Sequence, residues 1–315
     1  MFIRQSMRLL GFLWAFVFLS GCQAEQSAQT EQPFYPISVA YWAAQDVFLV
    51  GSYADASIQF VEANGTKHRQ FQPAYSDGRQ HALRLSVDNT RQRLWVLDQD
   101  NVSLYALNNQ QLLQKIALPS QAQCQPPLTA LVLDNTGAAY LSGVNCTQIY
   151  RVDPNSMQVL AWGNVPKPLN ALILNKSAQY LFGIAHDGSL WRIALANPQN
   201  VMTVQLNSPL PKEQTTVLNS NWLIWNLVSV QAMSWQAGSV LYLLHGTMPQ
   251  LVKVELTLDE HYANVKPLAH TGFDSLMAGV YQNGFAYTPQ ADTHVAWYRD
   301  NPPFSPVWVR RVATN

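Results

Sequence analysis

Charge is scarce in this sequence. Of its 315 residues only 12% are Asp, Glu, Lys or Arg, and the 19 basic side chains balance the 19 acidic ones. A chain with no basic excess lacks an evident face to neutralise phosphates and release counterions, which argues against nucleic acid as a partner. Catalytic signatures are missing too. There is no G-x-S-x-G nucleophile elbow, no phosphate-cradling P-loop, no G-x-G-x-x-G after a strand and no C-x-x-C-H haem attachment. The seven histidines form no H-x-x-x-H or H-E-x-x-H pair, and the cysteines do not stand at zinc-ligand spacing. No catalytic residue, metal or cofactor is therefore assigned. No long amphipathic helix is readable. The longest apolar run, Leu9 to Leu19, spans only about 16 Å as a helix, against a hydrocarbon core of about 30 Å. What the chain does have is a 48% hydrophobic content, enough for a large core and incompatible with a disordered or collagen-like polymer.

The amino terminus reads as an address. Met1 to Arg8 carries two arginines and no acid, and Leu9 to Leu19 follows as the apolar region of a signal peptide. Leu19-Ser20-Gly21-Cys22 resembles the bacterial lipobox. The resemblance implies a diacylglyceryl group on the Cys22 thiol, cleavage before it, and acylation of the new amine by palmitate or a similar chain. Several acyl chains, at about 0.8 kcal/mol per buried CH₂, hold far more firmly than one. Gln23 after the cysteine implies, by enterobacterial-type sorting, release to the outer membrane, with the protein facing the periplasm. Residues 23–32 contain no large apolar side chain and should form, with Cys22, a flexible tether. The expected organisation is thus a cleaved signal peptide (1–21), a lipid-anchored tether (22–32) and a folded domain (33–315). Without the signal peptide, 17 basic and 19 acidic groups remain, so attachment to the membrane rests on the lipid and not on surface charge. Cys124 and Cys146 are left over; an oxidising compartment favours a disulfide between them, the alternative being two separate buried thiols.

After residue 33 the chain repeats one pattern: short β-branched and aromatic runs, split by turn residues, in groups of four. The clearest group is Ala82–Asp88, Arg93–Asp98, Val102–Leu107 and Leu112–Leu118, with Asn89-Thr90 and Asn108-Asn109 in its turns. First strands begin near 37, 82, 128, 169, 230 and 276. A repeat of forty-odd residues with four strands each is the signature of a β-propeller. A four-stranded sheet has two apolar faces and cannot bury both alone; stacking around an axis buries each against a neighbour. The expected fold is all-β, a six-bladed propeller, or seven-bladed if the long interval before residue 230 hides a degenerate blade. In the later groups, Met202–Leu206 is expected as the outer strand of blade four, with His294–Arg299 and Val307–Val312 as the third and fourth strands of blade six. The phase also places Cys124, before the first strand of blade three, on the same face as Cys146, after its second.

Phrases such as Arg93-Leu94-Trp95-Val96-Leu97-Asp98 with Val102-Ser103-Leu104-Tyr105, and Pro168-Leu169-Asn170-Ala171-Leu172 with Leu190-Trp191-Arg192-Ile193, resemble the senescence-marker/gluconolactonase and NHL-repeat propellers. The resemblance covers all the blades in rhythm, and implies fold more than function. Gluconolactonase-type enzymes hold one divalent metal at the channel mouth with a Glu, two Asn and an Asp. Asn170 stands where the family places one asparagine. Leu128-Thr129, Val230-Gln231 and Pro36-Ile37-Ser38 occupy the other positions, so one ligand of four is present.

By the strand phase, His186 and His245 end second strands, Asp98 stands at the equivalent place in blade two, and His81 leads into that blade on the same face. With Asn170 these are the candidate polar residues of the channel mouth, as a metal or acid–base group or as separately solvated rim residues. Trp222 and Trp225, in the long connection after blade four, are the candidate anchors of a partner-docking loop; the plainer reading is a connection packed on its own core. The sequence thus leads to a monomeric, non-enzymatic propeller lipoprotein that binds or scaffolds an envelope protein or ligand. The alternatives are a lactonase-like metal-dependent hydrolase or lyase, and a small-molecule or glycan sensor in the channel.

Overall fold

The computed structural model describes residues 34–62, 68–119, 124, 128–175, 177–185, 187–210, 232–236, 240–245, 250–270, 280–282, 285–290 and 308–313. Within them there is no helix, only strands and turns. Sheet I runs β1 (Pro36–Trp42), β2 (Val47–Ser52), β3 (Ile58–Glu62), β4 (His68–Gln72), each antiparallel to the next. Sheet II repeats this order with β5 (Arg84–Asp88), β6 (Arg93–Leu97), β7 (Asn101–Ala106) and β8 (Leu112–Ala117). Sheet III is β9 (Leu128–Leu133), β10 (Ala139–Gly143), β11 (Cys146–Val152) and β12 (Val159–Asn164). Sheet IV is β13 (Leu169–Leu174), β14 (Tyr180–Ala185), β15 (Leu190–Ala194) and β16 (Asn197–Thr203). The first strand of each sheet lies beside the first strand of the next, so that β1, β5, β9 and β13 form an inner row.

Strand β6 shows why the sheets stack. Its five residues, Arg93-Leu94-Trp95-Val96-Leu97, alternate sides. Leu94 and Val96 enter the cluster shared with Trp42, Leu49 and Phe71 of the sheet I region, whereas Trp95 and Leu97 enter the cluster shared with Leu128, Leu141 and Tyr150 of the sheet III region. Strand β14 does the same: Leu181 packs towards sheet III and Phe182 and Ile184 towards β20 (Gln250–Leu256) of sheet V. Both faces of sheets II and IV are thus apolar, so neither is stable without both neighbours. Outer strands mark the end of the burial; β8 exposes every residue except Ile116.

Sheets V and VI depart from the pattern. Sheet V comprises β18 (Ala232–Gln236), β19 (Val240–His245), β20 and β21 (Tyr262–His270), with a fifth strand, β17 (Gln205–Leu206), pairing parallel to β21 at the outer edge. The expected outer strand of blade four, Met202–Leu206, is therefore corrected: the chain forms β16 over 197–203, passes Val204 and crosses to the next sheet as β17. Sheet VI contains β22 (Val280–Gln282), β23 (Phe285–Gln290) and β24 (Trp308–Ala313). β24 pairs directly with β23 and so takes the third position in the sheet, not the fourth that was expected for Val307–Val312. His294–Arg299 lies outside the described residues. β18 lies beside β13 and β22, and β22 beside β1, which returns the inner row to its start.

Candidate binding site at the mouth of the ring

The inner strands share a defect where they begin. In β1, β9 and β13 one residue is bulged out of the ladder: Ile37, Thr129 and Asn170. In sheet II, Leu83 holds the corresponding place, its N–H donating to the Leu97 carbonyl that faces Arg84 (2.9 Å). A bulge turns a side chain out of the pleat alternation, and here it does so at the same level of three inner strands, with Leu83 in line in the fourth. All four residues are buried, and Ile37 and Leu83 pack together with the half-buried Tyr53 against them. Thr129 Oγ1 has no hydrogen-bond partner among the described residues. Arg84, next to this ring, is buried; its guanidinium donates to the Leu83 carbonyl (2.7 Å), and burial pushes its pKa down to about 10. Two hydrocarbons, a hydroxyl and an amide beside a buried cation are a poor set for a hard divalent ion, which needs carboxylate oxygens and a negative field. Among the described residues no group of three His, Cys, Asp or Glu could hold a metal.

His81 and Asp98 come together as the strand phase implies, through the backbone. Asp98 is buried in the turn after β6, and its carboxylate accepts from three main-chain N–H groups: Gln80 (2.8 Å), His81 (3.1 Å) and Gln99 (2.8 Å). Asn101 Nδ2 adds a longer contact of 3.4 Å. The side chain thus ties the connection from sheet I onto the β6–β7 turn. Main-chain donors this dense occupy most of the carboxylate's lone pairs and hold it in place. His81 is half-buried, its ring stacked on Tyr53 (centroids 4.0 Å apart, 15° between planes) and its Nδ1 2.5 Å from the Tyr53 carbonyl oxygen. Burial, with the Asp98 charge behind it, raises the pKa of the Tyr53 phenol.

Of the other candidates, Asn170 is buried at its bulge, and His245 closes β19, its side chain lying outside the described set. His186, Trp222, Trp225 and Cys22 also lie outside the described residues. Cys124 and Cys146 form a disulfide, with Cα atoms 4.5 Å apart. The bond spans the entry to sheet III and the start of β11, as the shared face of those loops requires.

Two polar constellations were not anticipated. In the loop from β4 to β5, Asp77 and Arg79 form an ion pair (3.0 Å) with side chains 3% and 0% exposed. Tyr105 and Ser103 of β7 donate to Asp77 Oδ2 at 2.5 and 2.6 Å, and Arg79 Nε donates to the Ala56 carbonyl at 2.9 Å. Burial alone would raise the Asp77 pKa; the Ser103 and Tyr105 hydrogen bonds and the Arg79 charge outweigh it and hold the carboxyl below its ordinary range. In the second constellation, Arg192 of β15 reaches the β20–β21 turn, donating to the Asp259 carbonyl (2.6 Å) and to His261 Nε2 (2.6 Å) while lying over the Tyr180 ring. The first left a weak signal in the sequence: Ser103 and Tyr105 share one face of a buried strand, so their hydroxyls needed a polar partner from elsewhere.

No protein-family model matches the chain, and no curated protein does. Solved structures do match. A Bacteroides thetaiotaomicron protein of unknown function superposes with a TM-score of 0.61 at 14% identity, covering 90% of this chain and 70% of its own. A streptogramin B lyase gives 0.57 at 10% identity, over 82% of this chain and 77% of its own. The fold is a β-propeller. A chain from a nidogen/laminin complex agrees, at 0.54 and 11% identity, over 73% of this chain and 84% of its own. At such identities the likeness carries the propeller architecture and no activity.

Proposed function

We propose that this propeller is a lipid-anchored binding or scaffolding module of the bacterial envelope, held at the periplasmic side of the outer membrane by Cys22. The observation that carries the non-enzymatic reading is the ring at the mouth. Ile37, Leu83, Thr129 and Asn170 stand beside the Arg84 cation, where a metal-dependent hydrolase would need acidic ligands. A propeller lacking that set still offers a broad rigid loop face, which suits partner binding. The circuit of inner strands from β1 through β22 supports six blades for the whole domain. The disulfide agrees with export to an oxidising compartment. Trp222 and Trp225 remain the proposed anchors of the partner loop.

In-cell crosslinking of the full chain tests the binding role: a reproducible envelope protein is expected, and repeated capture of none overturns it. Labelled palmitate should enter the wild-type chain and not the Cys22→Ala variant; equal labelling overturns the anchor. Metal-dependent lactonase activity in the purified protein, lost on chelation, would replace the binding reading with the hydrolase.

A further inference from the structure

We propose that the Tyr53–His81 pair is a small-ligand site, in which His81 Nε2 accepts a hydrogen bond from an uncharged hydroxyl or amide donor. The proposal rests on the mouth face being a binding face, and adds the chemistry that this face would recognise.

The tautomer follows from geometry. His81 Nδ1 lies 2.5 Å from the Tyr53 carbonyl oxygen, and a carbonyl can only accept. In the neutral imidazole the ring proton is therefore on Nδ1, and Nε2 carries a lone pair. No partner for Nε2 occurs among the described residues. The ring cannot turn away cheaply. It is stacked on Tyr53 at 4.0 Å, and its own main-chain N–H is held by the Asp98 carboxylate at 3.1 Å. The result is a fixed acceptor on a half-exposed pair of rings, above an apolar floor made by Ile37 and Leu83. An acceptor held in place before binding costs the ligand little reorganisation.

The surroundings argue for a neutral ligand. Asp98 is filled by main-chain donors, Asp55 accepts from Ser57 N and Oγ, and Asp77 is paired with Arg79 inside the protein. These charges are committed and buried, and the exposed charges of this face are engaged as well: Asp100 accepts from Asn101 Nδ2 (2.7 Å), and Lys167 pairs with Asp187. A half-exposed aromatic pair with one fixed acceptor matches a sugar or polyol hydroxyl, or a neutral amide.

The test uses the full chain in detergent at neutral pH. Diethyl pyrocarbonate acylates an open, unprotonated imidazole nitrogen, and peptide mass spectrometry reads each histidine separately. His81 is expected to react. N-acetylglucosamine, which carries hydroxyls and an acetamide, or N-methylacetamide, which carries only the amide, should slow that reaction saturably by about fivefold or more, the scale of one good hydrogen bond. Protection by the sugar alone assigns hydroxyl donors; protection by both assigns the amide. An unreactive His81, no protection by either probe, or equal protection by acetate overturns the proposal. The His81→Phe variant keeps a stacking ring; it should retain the wild-type melting temperature and lose probe binding by saturation-transfer NMR, and retained binding overturns the proposal. Crosslinking to an envelope partner is read separately, so a failed ligand site with an intact partner removes this site and leaves the binding role standing.

Discussion

The seam between sheets I and II and the seam between sheets IV and V are built from the same repeat, yet they are locked differently. At the first, the connecting loop buries a charge pair: Asp77 and Arg79 sit almost wholly out of solvent against Ser103 and Tyr105, and Asp98 ties down the residues that follow. At the second, the lock is backbone. β17 joins the edge of sheet V, Gln205 N and Asn207 N donate to the carbonyls of His261 and Ala263 (2.8 and 3.0 Å), and Asn207 Oδ1 accepts from Val265 N (2.8 Å). Apolar packing at both seams is interchangeable in kind, so it holds sheets together without deciding which edge meets which. The polar lock does that deciding. A buried charge pair is intolerant of change because each partner has surrendered its water, whereas a strand shared at a surface edge yields gradually, one hydrogen bond at a time.

This contrast can be broken most directly at Asp77. Asp77→Ala leaves the Arg79 guanidinium buried and uncompensated, and should cost about 3–5 kcal/mol in urea unfolding. A paired replacement, Asp77→Leu with Arg79→Met, should recover most of it; no recovery would show that the lock is not electrostatic. Overpacking the same seam comes next. A Cβ on Gly51 would lie 2.5 Å from Ser38 Oγ and 2.8 Å from the Ala82 Cβ. Gly51→Ala should therefore destabilise by about 1–3 kcal/mol. At the other seam, Asn207→Ala should cost only about 1 kcal/mol globally. Hydrogen exchange should show its effect confined to the β17–β21 pairing; a global loss as large as that of Asp77→Ala would erase the distinction. Smallest is Lys167→Ala. The Lys167–Asp187 pair is about half exposed (side chains 49% and 45%). Removing it should change stability by less than about 0.5 kcal/mol, as for ordinary surface pairs.

A pH titration sharpens the same point. The Asp77 carboxyl is held below its ordinary range in the folded protein. Its stabilisation is thus present above the unfolded value, near pH 3.9, and is lost as pH falls through the lower folded value. Unfolding followed below about pH 4 should show an acid-sensitive component in the wild type. The doubly replaced variant should lack it, and identical profiles would remove Asp77 from the account.

Much of the architecture was readable from residue order, because alternation and turn chemistry are local. β5, β6, β7 and β8 fall within a residue or two of where their β-branched and aromatic runs predict them. The Cys124–Cys146 bond followed from the strand phase. What was not readable is pairing. The stretch from Met202 to Leu206 reads as one apolar–polar run, but Val204 is where it changes sheets, and alternation carries no record of which neighbour supplies the hydrogen bonds. For the same reason β24 was expected one position too far out. At the mouth, His81 and Asp98 could be placed on one face from the phase alone. The bulges that align Ile37, Thr129 and Asn170, and the main-chain donors that occupy Asp98, depend on ladder irregularities that no residue pattern marks.

The strand that crosses between sheets IV and V also bears on how such proteins diversify. Tandem modules usually gain or lose copies by recombination at their boundaries, each copy arriving with its own complete set of strands. Here a cut between the fourth and fifth modules separates β17 from the edge it covers. Duplication or deletion of either alone would strip a strand from its sheet, so the two are structurally one unit at this junction.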